Sequence, residues 1–343
     1  MVRKTFYFVI VLLAFTRVSF GQQEPQFSQY MYTILPFNPG YAGNSTICAS
    51  LHYRQQWAGF SDYNMETGET HKSAPRDAMV CIHSYIKPLH GGLGLTIYND
   101  ALGYQSDIAV KLAYSFRMNI GGGSLGIGLS GDFLSRQIQK DKFITGQSGD
   151  QQLIAAMGDN DMHIDVSFGA FYQMQEKWWA GLSVTQIAGS IIGGDKDYQT
   201  GARHLYIMGG YSFELPSNPD WTLKPSALIK TDLVVPQIDL TLIASYQNDL
   251  IWGGLSYRMI DAVAVLVGAK PFINSSSAIR GLEIIGSYDI TTSKMLNQGS
   301  GFKGRSFGGY EFCIKYCFNI VQRPVIHGYK GTRLLGNKPI EYR

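Results

Sequence analysis

The chain has 343 residues, of which 45% are hydrophobic and 13% aromatic, with 39 glycines and 29 basic against 26 acidic side chains. A formal net charge of +3 excludes a general nucleic-acid or acidic-partner surface. Four cysteines at spacings that match no zinc site exclude a structural zinc module, and no Pro-rich joint or charge run divides the chain into domains.

Residues 1–21 read as a signal peptide: Arg3 and Lys4, the apolar run Phe6 to Phe15, then Ser19-Phe20-Gly21 before Gln22. The run is short for a membrane helix, and no Cys follows it directly, so no lipid anchor is expected. Its removal takes Arg3, Lys4 and Arg17 and leaves 26 basic against 26 acidic residues.

Residues 22–45 are rich in aromatics, Pro and Asn. They read as an N-terminal periplasmic or plug-like segment, with an extended lead-in to the first strand as the plainer alternative. About fourteen strand candidates follow over residues 46–320: 46–57, 76–87, 92–99, 104–119, 124–136, 163–173, 178–187, 202–213, 221–231, 237–247, 251–257, 262–270, 281–290 and 306–320. In the fourth, Ile108, Val110, Leu112, Tyr114, Phe116 and Met118 fall on one face, with Ala109, Lys111, Ala113, Ser115 and Arg117 on the other. The pattern recurs with Leu125, Ile127 and Leu129 opposite Gly126, Gly128 and Ser130. It returns on the last strand, where Phe312, Ile314, Tyr316 and Phe318 oppose Glu311, Cys313, Lys315 and Cys317. Charges inside and apolar groups outside predict an all-β, antiparallel, up-and-down outer-membrane barrel with its apolar face on lipid.

Connection lengths follow the same logic. Those after even strands are short, apart from 271–280, and the long ones (58–75, 137–162, 188–201, 291–305) all follow odd strands. Short turns belong to the periplasmic rim and long loops to the surface, so both termini are expected in the periplasm. Trp178, Trp179, Trp221 and Trp252 stand where strands leave short turns, and Trp57 at the opposite end. All are expected to place their indoles at the membrane interface. The tail, 321–343, carries Arg323, Lys330, Arg333, Lys338 and Arg343 against Glu341, and reads as a basic periplasmic segment for partner contact.

Cys48, Cys81, Cys313 and Cys317 all fall on inward faces of the first, second and last strands, which adjoin in a closed barrel. A cross-strand disulfide is conceivable in an oxidising compartment, Cys48 pairing with Cys81 or with a last-strand cysteine; separate thiols are the alternative. His52 and His83 share that wall and read as lumen polar residues, since a metal site needs further ligands. Asp159-Asn160-Asp161 lacks the spacing and distal Glu of a calcium loop. The runs Gly91-Gly92-Leu93-Gly94 and Gly121-Gly122-Gly123 open no helix and read as turn and close-packing glycines, not phosphate cradles. No nucleophile, base or paired-carboxylate constellation stands out, so no catalytic, cofactor or metal residue is expected.

The N-terminal segment carries Pro25-Gln26-Phe27-Ser28-Gln29-Tyr30-Met31 and then Asn38-Pro39-Gly40-Tyr41-Ala42-Gly43. With Tyr53-Arg54-x-Gln56-Trp57, Tyr114-Ser115-Phe116-Arg117 and Leu255-Ser256-Tyr257-Arg258, the chain closely resembles the PorP/SprF family of type IX secretion system membrane proteins; Gly40 stands where that family usually has Ala. The resemblance implies a non-enzymatic outer-membrane component that supports export or surface anchoring of cargo. That cargo would be of adhesin or gliding type with a type B C-terminal sorting signal. It implies a periplasmic ring lipoprotein as a further partner, and a structural or partner-binding role for the signature residues. An outer-membrane channel for a small solute is the rival reading; an outer-membrane hydrolase is a third.

Overall fold

The computed structural model describes residues 26–63, 70–71, 73–138, 161–174, 177–188, 203–232, 235–259, 261–275, 278–292 and 307–318. Fourteen strands form one closed antiparallel barrel. In chain order they are β1 (Cys48–Gln55), β2 (Arg76–Ile86), β3 (Gly91–Leu102), β4 (Gln105–Ile120), β5 (Gly123–Ile138), β6 (Asp161–Met174), β7 (Trp178–Thr185), β8 (His204–Tyr211), β9 (Asn218–Thr231), β10 (Pro236–Tyr246), β11 (Ile251–Arg258), β12 (Ala262–Ala269), β13 (Leu282–Thr291) and β14 (Gly309–Cys317). Each pairs with its sequence neighbour, and β1 closes on β14 in the register Cys48↔Cys317 to Gln55↔Tyr310. A short extension of β8, Phe213–Leu215, pairs with β9 across a register shift at Glu214/Leu215.

Side-chain alternation runs as the period of two requires. Leu112, Leu129, Leu182, Leu240, Leu255 and Val267 are each more than half exposed on the outer wall, a lipid-facing apolar belt. Their neighbours Lys111, Ser130, Ser183, Asp239, Thr241 and Ser256 are buried inside. The first strand stops at Gln55, short of Trp57, because Trp57 turns to a φ of 48° and ends the extended run. The last strand is likewise shorter than its sequence pattern, Gly309–Cys317.

The tryptophans divide, which corrects the expectation that all sit at the interface. Trp221, beside Tyr246 at 5.2 Å, and Trp178, beside Tyr172 at 4.9 Å, lie on the outer face near the rim of short turns. Trp179 stacks on Phe171 within the lumen cluster, and Trp252, 5% exposed, stacks on Tyr32. Adjacent strand residues must face opposite ways, so Trp178 and Trp179 could not both meet lipid.

The lumen is not purely polar. Residues 26–47 run inside it as a strap broken by two short 3-10 turns, Tyr30–Tyr32 and Pro39–Tyr41. Phe27, Tyr30, Ile34, Leu35, Phe37 and Ala42 of the strap pack against inward Met79, Cys81, Phe171, Tyr206, Met208 and Leu228. Inward apolar residues that lack lipid to face thus gain a core from the strap.

Candidate functional site

The strap touches opposite walls by different chemistry, and the two halves of the sequence signature divide the work. The first half meets charge. Backbone N–H groups of Ser28 and Gln29 donate to Glu311 Oε1 and Oε2 at 2.7 and 3.1 Å. Ser28 Oγ donates to Asp289 at 2.9 Å and accepts from Arg258 Nη2 at 2.9 Å. Gln26 Nε2 donates to Asp239 at 3.0 Å, and the Gln29 amide donates to Ser287 Oγ at 3.1 Å. Tyr30 shares a hydrogen bond with Ser226 at 2.8 Å. Arg54 pairs with Glu311 at 3.1 Å and approaches Asp77 at 3.7 Å, while Arg258 pairs with Asp239 at 3.5 Å and Asp261 at 3.3 Å. Cross-strand register sets Glu311, Arg54, Asp77, Asp100, Asp107 and Arg136 side by side along one inner level. Buried charges persist where they are paired and hydrogen-bonded, and here the strap's own amides supply part of that satisfaction.

The second half meets glycine. A Cβ added at Gly92, Gly126, Gly128, Gly169 or Gly181 would lie within 3 Å of strap atoms of Asn38, Pro39, Gly40, Ala42 or Gly43. Only bare backbone on β3, β5, β6 and β7 lets the strap approach so closely. Asn38 caps its own turn by accepting from the Gly40 N–H at 2.9 Å, and its amide donates to the Ala170 carbonyl at 3.0 Å. Tyr41 meets the Phe171 ring edge-on at 5.0 Å. Met31 packs against both apolar clusters of the lumen. Arg117 clamps the exit of the strap, donating to the carbonyls of Gly40 and Ala42 at 3.2 Å and to Asn44 Oδ1 at 2.6 Å.

Cys48 and Cys317 form a disulfide that joins the end of the strap to the seam between β1 and β14. Cys81 and Cys313 are buried free thiols, a correction to any pairing through them; Cys81 faces Ser50 in the register, and Cys313 Sγ lies 3.6 Å from His52 Nε2. His52 is also hydrogen-bonded to Ser50 at 3.0 Å. Among the described residues no group of three or more His, Cys, Asp or Glu side chains is placed to hold a metal. Pro25, the tail residues Arg323, Lys330, Arg333 and Lys338, and Asp159 and Asn160 lie outside the described residues.

The residues that receive the strap are only partly marked in the sequence. Alternation marks Glu311 and Arg117 as inward charges, Arg117 also within the motif Tyr114-Ser115-Phe116-Arg117, and sets Gly126 and Gly128 on the inner face. The available signal was their joint occurrence: inward charge on some strands and alternate inward glycine on others imply something between them.

No curated protein matches the chain. Among solved structures it is similar to the toluene transporter TodX of P. putida, at 9% identity over 81% of this chain and 92% of that one, with a TM-score of 0.43. It is also similar to Omp33 of Acinetobacter baumannii (7% identity, 79% and 97% covered, TM-score 0.40) and to a FadL homologue of Pseudomonas aeruginosa (12%, 79% and 90%, 0.40). Likeness this remote speaks to neither solute nor partner. The profile of the family described as type IX secretion system membrane protein PorP/SprF matches residues 19–316, and the chain, an outer-membrane β-barrel of fourteen strands, belongs to that family.

Proposed function

We propose that this protein is a non-enzymatic scaffold of type IX secretion that supports export and surface anchoring of cargo, rather than a pore for cargo or solute. The observation that carries this reading is the strap. Phe27, Tyr30, Ile34, Leu35 and Phe37 are buried in the lumen with Met31, Tyr32 and Tyr41 partly buried beside them, and its backbone is held at both ends by hydrogen bonds to β14 and β4. A solute channel needs a continuous wet lumen, whereas a filled one suits a docking body. The seam disulfide favours the same reading, because it ties the barrel shut where its first and last strands meet.

The rim of short turns faces the periplasm in this account and the long connections face outward. Residues 137–162 form the longest outward connection in the sequence and are the proposed surface for cargo of adhesin or gliding type bearing a type B C-terminal signal. The basic tail with Arg323, Lys330, Arg333 and Lys338 then lies in the periplasm, suited to contact with the ring lipoprotein of the machine. Deleting the gene and quantifying surface and secreted proteins by mass spectrometry tests this. Selective loss of one or a few exported proteins is expected, and an unchanged surface proteome contradicts it.

A further inference from the structure

The strap meets the seam strands β14, β1 and β2 around a small cavity. Tyr32 and Tyr41 of the strap line it, with Ser50 of β1, Cys81 and His83 of β2 and Lys315 of β14. Register sets the two basic side chains on either side of β1: Lys315 stands opposite Ser50, and His83 opposite Cys48. The cavity measures about 10 Å³, room for one water or one ion of similar size and for no polyatomic group.

Every polar side chain of that lining can donate a hydrogen bond, and among the described residues no carboxylate joins them. Three of the donors are unused. Lys315 Nζ makes no hydrogen bond or ion pair among the described residues; it lies 5.9 Å from the centroid of the Tyr32 ring, a cation–π distance. His83 is 6% exposed, and its Nδ1 has no hydrogen-bond partner. Tyr41 meets the His83 ring edge-on at 5.2 Å, and its hydroxyl bonds to no described residue. The carboxylates nearest Lys315 are engaged elsewhere. Glu283, its register neighbour on β13, pairs with Lys270 at 4.0 Å, and Asp249 pairs with both Lys270 and Lys224. Arg117, towards the same rim, is held by carbonyls, Asn44 and Ser124, and so brings no negative charge. A buried ammonium without a counter-charge is costly, and a buried polar atom without a partner points to a water or ion at its side.

We infer that this cavity is a site for a monatomic anion, chloride being the abundant one, held by Lys315 Nζ, by His83 with its proton on Nδ1 and by the Tyr41 hydroxyl. A water would satisfy the hydrogen bonds but leave the ammonium uncompensated; a chloride does both. The three donors come from the strap, β2 and β14, so the ion ties the strap to the wall on both sides of β1. Because Tyr41 belongs to the strap, the complete site exists only while the strap is seated. The anion therefore stabilises the filled lumen as its occupancy rises.

The test is the thermal midpoint of the purified full chain in sodium chloride against sodium gluconate at equal ionic strength, gluconate being too large for the cavity. Lys315→Met and Tyr41→Phe are measured beside it. The expected result is an upward shift of the parent midpoint that saturates with chloride. That shift is lost in Lys315→Met and needs more chloride in Tyr41→Phe, which keeps the ring and its packing. Equal parent midpoints in the two salts, or a chloride shift retained in full by Lys315→Met, overturns the inference. Should Lys315→Met fail to assemble, long-wavelength anomalous diffraction from parent crystals grown in chloride decides. A chlorine signal beside Lys315 and His83 supports the site, and a water alone there overturns it.

Discussion

The backbone N–H of Ser28 donates to the carboxylate of Glu311 at 2.7 Å, 283 residues along the chain, and so fastens the first turn of the strap to the last strand of the barrel. Glu311 also neutralises Arg54, so it serves the strap and the wall together. Glu311→Ala leaves a buried guanidinium short of its nearest counterion, and breaking a buried pair costs about 3–5 kcal/mol. A clear fall in the thermal midpoint of the purified barrel is expected, with Glu311→Gln milder because it keeps an acceptor for the strap amides. Equal midpoints for parent and Glu311→Ala would remove the latch from the account.

The seam disulfide predicts a specific thiol count. Denatured without reductant, the protein should alkylate at two cysteines, Cys81 and Cys313, and after reduction at all four. Because Cys48 and Cys317 are 269 residues apart, the link restricts nearly the whole unfolded chain, worth about 2–4 kcal/mol. Cys48→Ser with Cys317→Ser should lower the temperature at which the folded band is lost on gels. Four alkylated thiols in unreduced protein would end this part of the account.

The outer and inner faces of β4 make opposite predictions. Leu112 is 53% exposed on the lipid side, so Leu112→Arg should cost about 2–4 kcal/mol if its level is near the bilayer midplane, and reduce insertion into lipid. Lys111, its neighbour, points inward and donates to the Pro36 carbonyl at 3.2 Å. Lys111→Ala should leave insertion unchanged while loosening the strap by about 1.5–3 kcal/mol, the worth of a charged hydrogen bond. Protease accessibility of the strap in folded protein separates the two effects.

Asp249, in the turn between β10 and β11, gives a pH dependence. Burial pushes its carboxyl up, but ion pairs with Lys270 and Lys224 outweigh that and hold it well below the ordinary carboxylate range. A carboxylate lowered on folding adds stability that is complete above the unfolded value, about 3.9, and is lost as pH falls below it. Asp249→Asn should thus be less stable than the parent near neutral pH, with the gap narrowing below about pH 4. Unfolding midpoints of both proteins across that range check the sign, and a constant gap would contradict it.

Much of the wall was legible in the sequence because a strand repeats every two residues and one lipid face is a strong filter. Lys111, Ser130 and Glu311 fall inward on that ground alone, and all three are buried. What alternation could not show was the lumen's occupant. A period of two says that Gly126, Gly128 and Gly169 face in, not that the backbone from Asn38 to Gly43 lies against them. It likewise placed Trp252 at the right rim but on the wrong face, because aromatic residues serve membrane interface and packed core alike. The cysteine pairing needed the strand register, which follows from closure of β1 on β14 and is not written in spacing.

The central claim, that this barrel is closed by its own N-terminal strap, is tested most directly by planar-bilayer conductance of the purified protein beside Gly128→Val. The valine side chain would occupy the space of Pro39 and Gly40 and should displace the strap while leaving strand pairing intact. The account predicts electrical silence from the parent and stable ion-conducting openings from Gly128→Val. Sustained openings from the parent, matched by the variant, would contradict it.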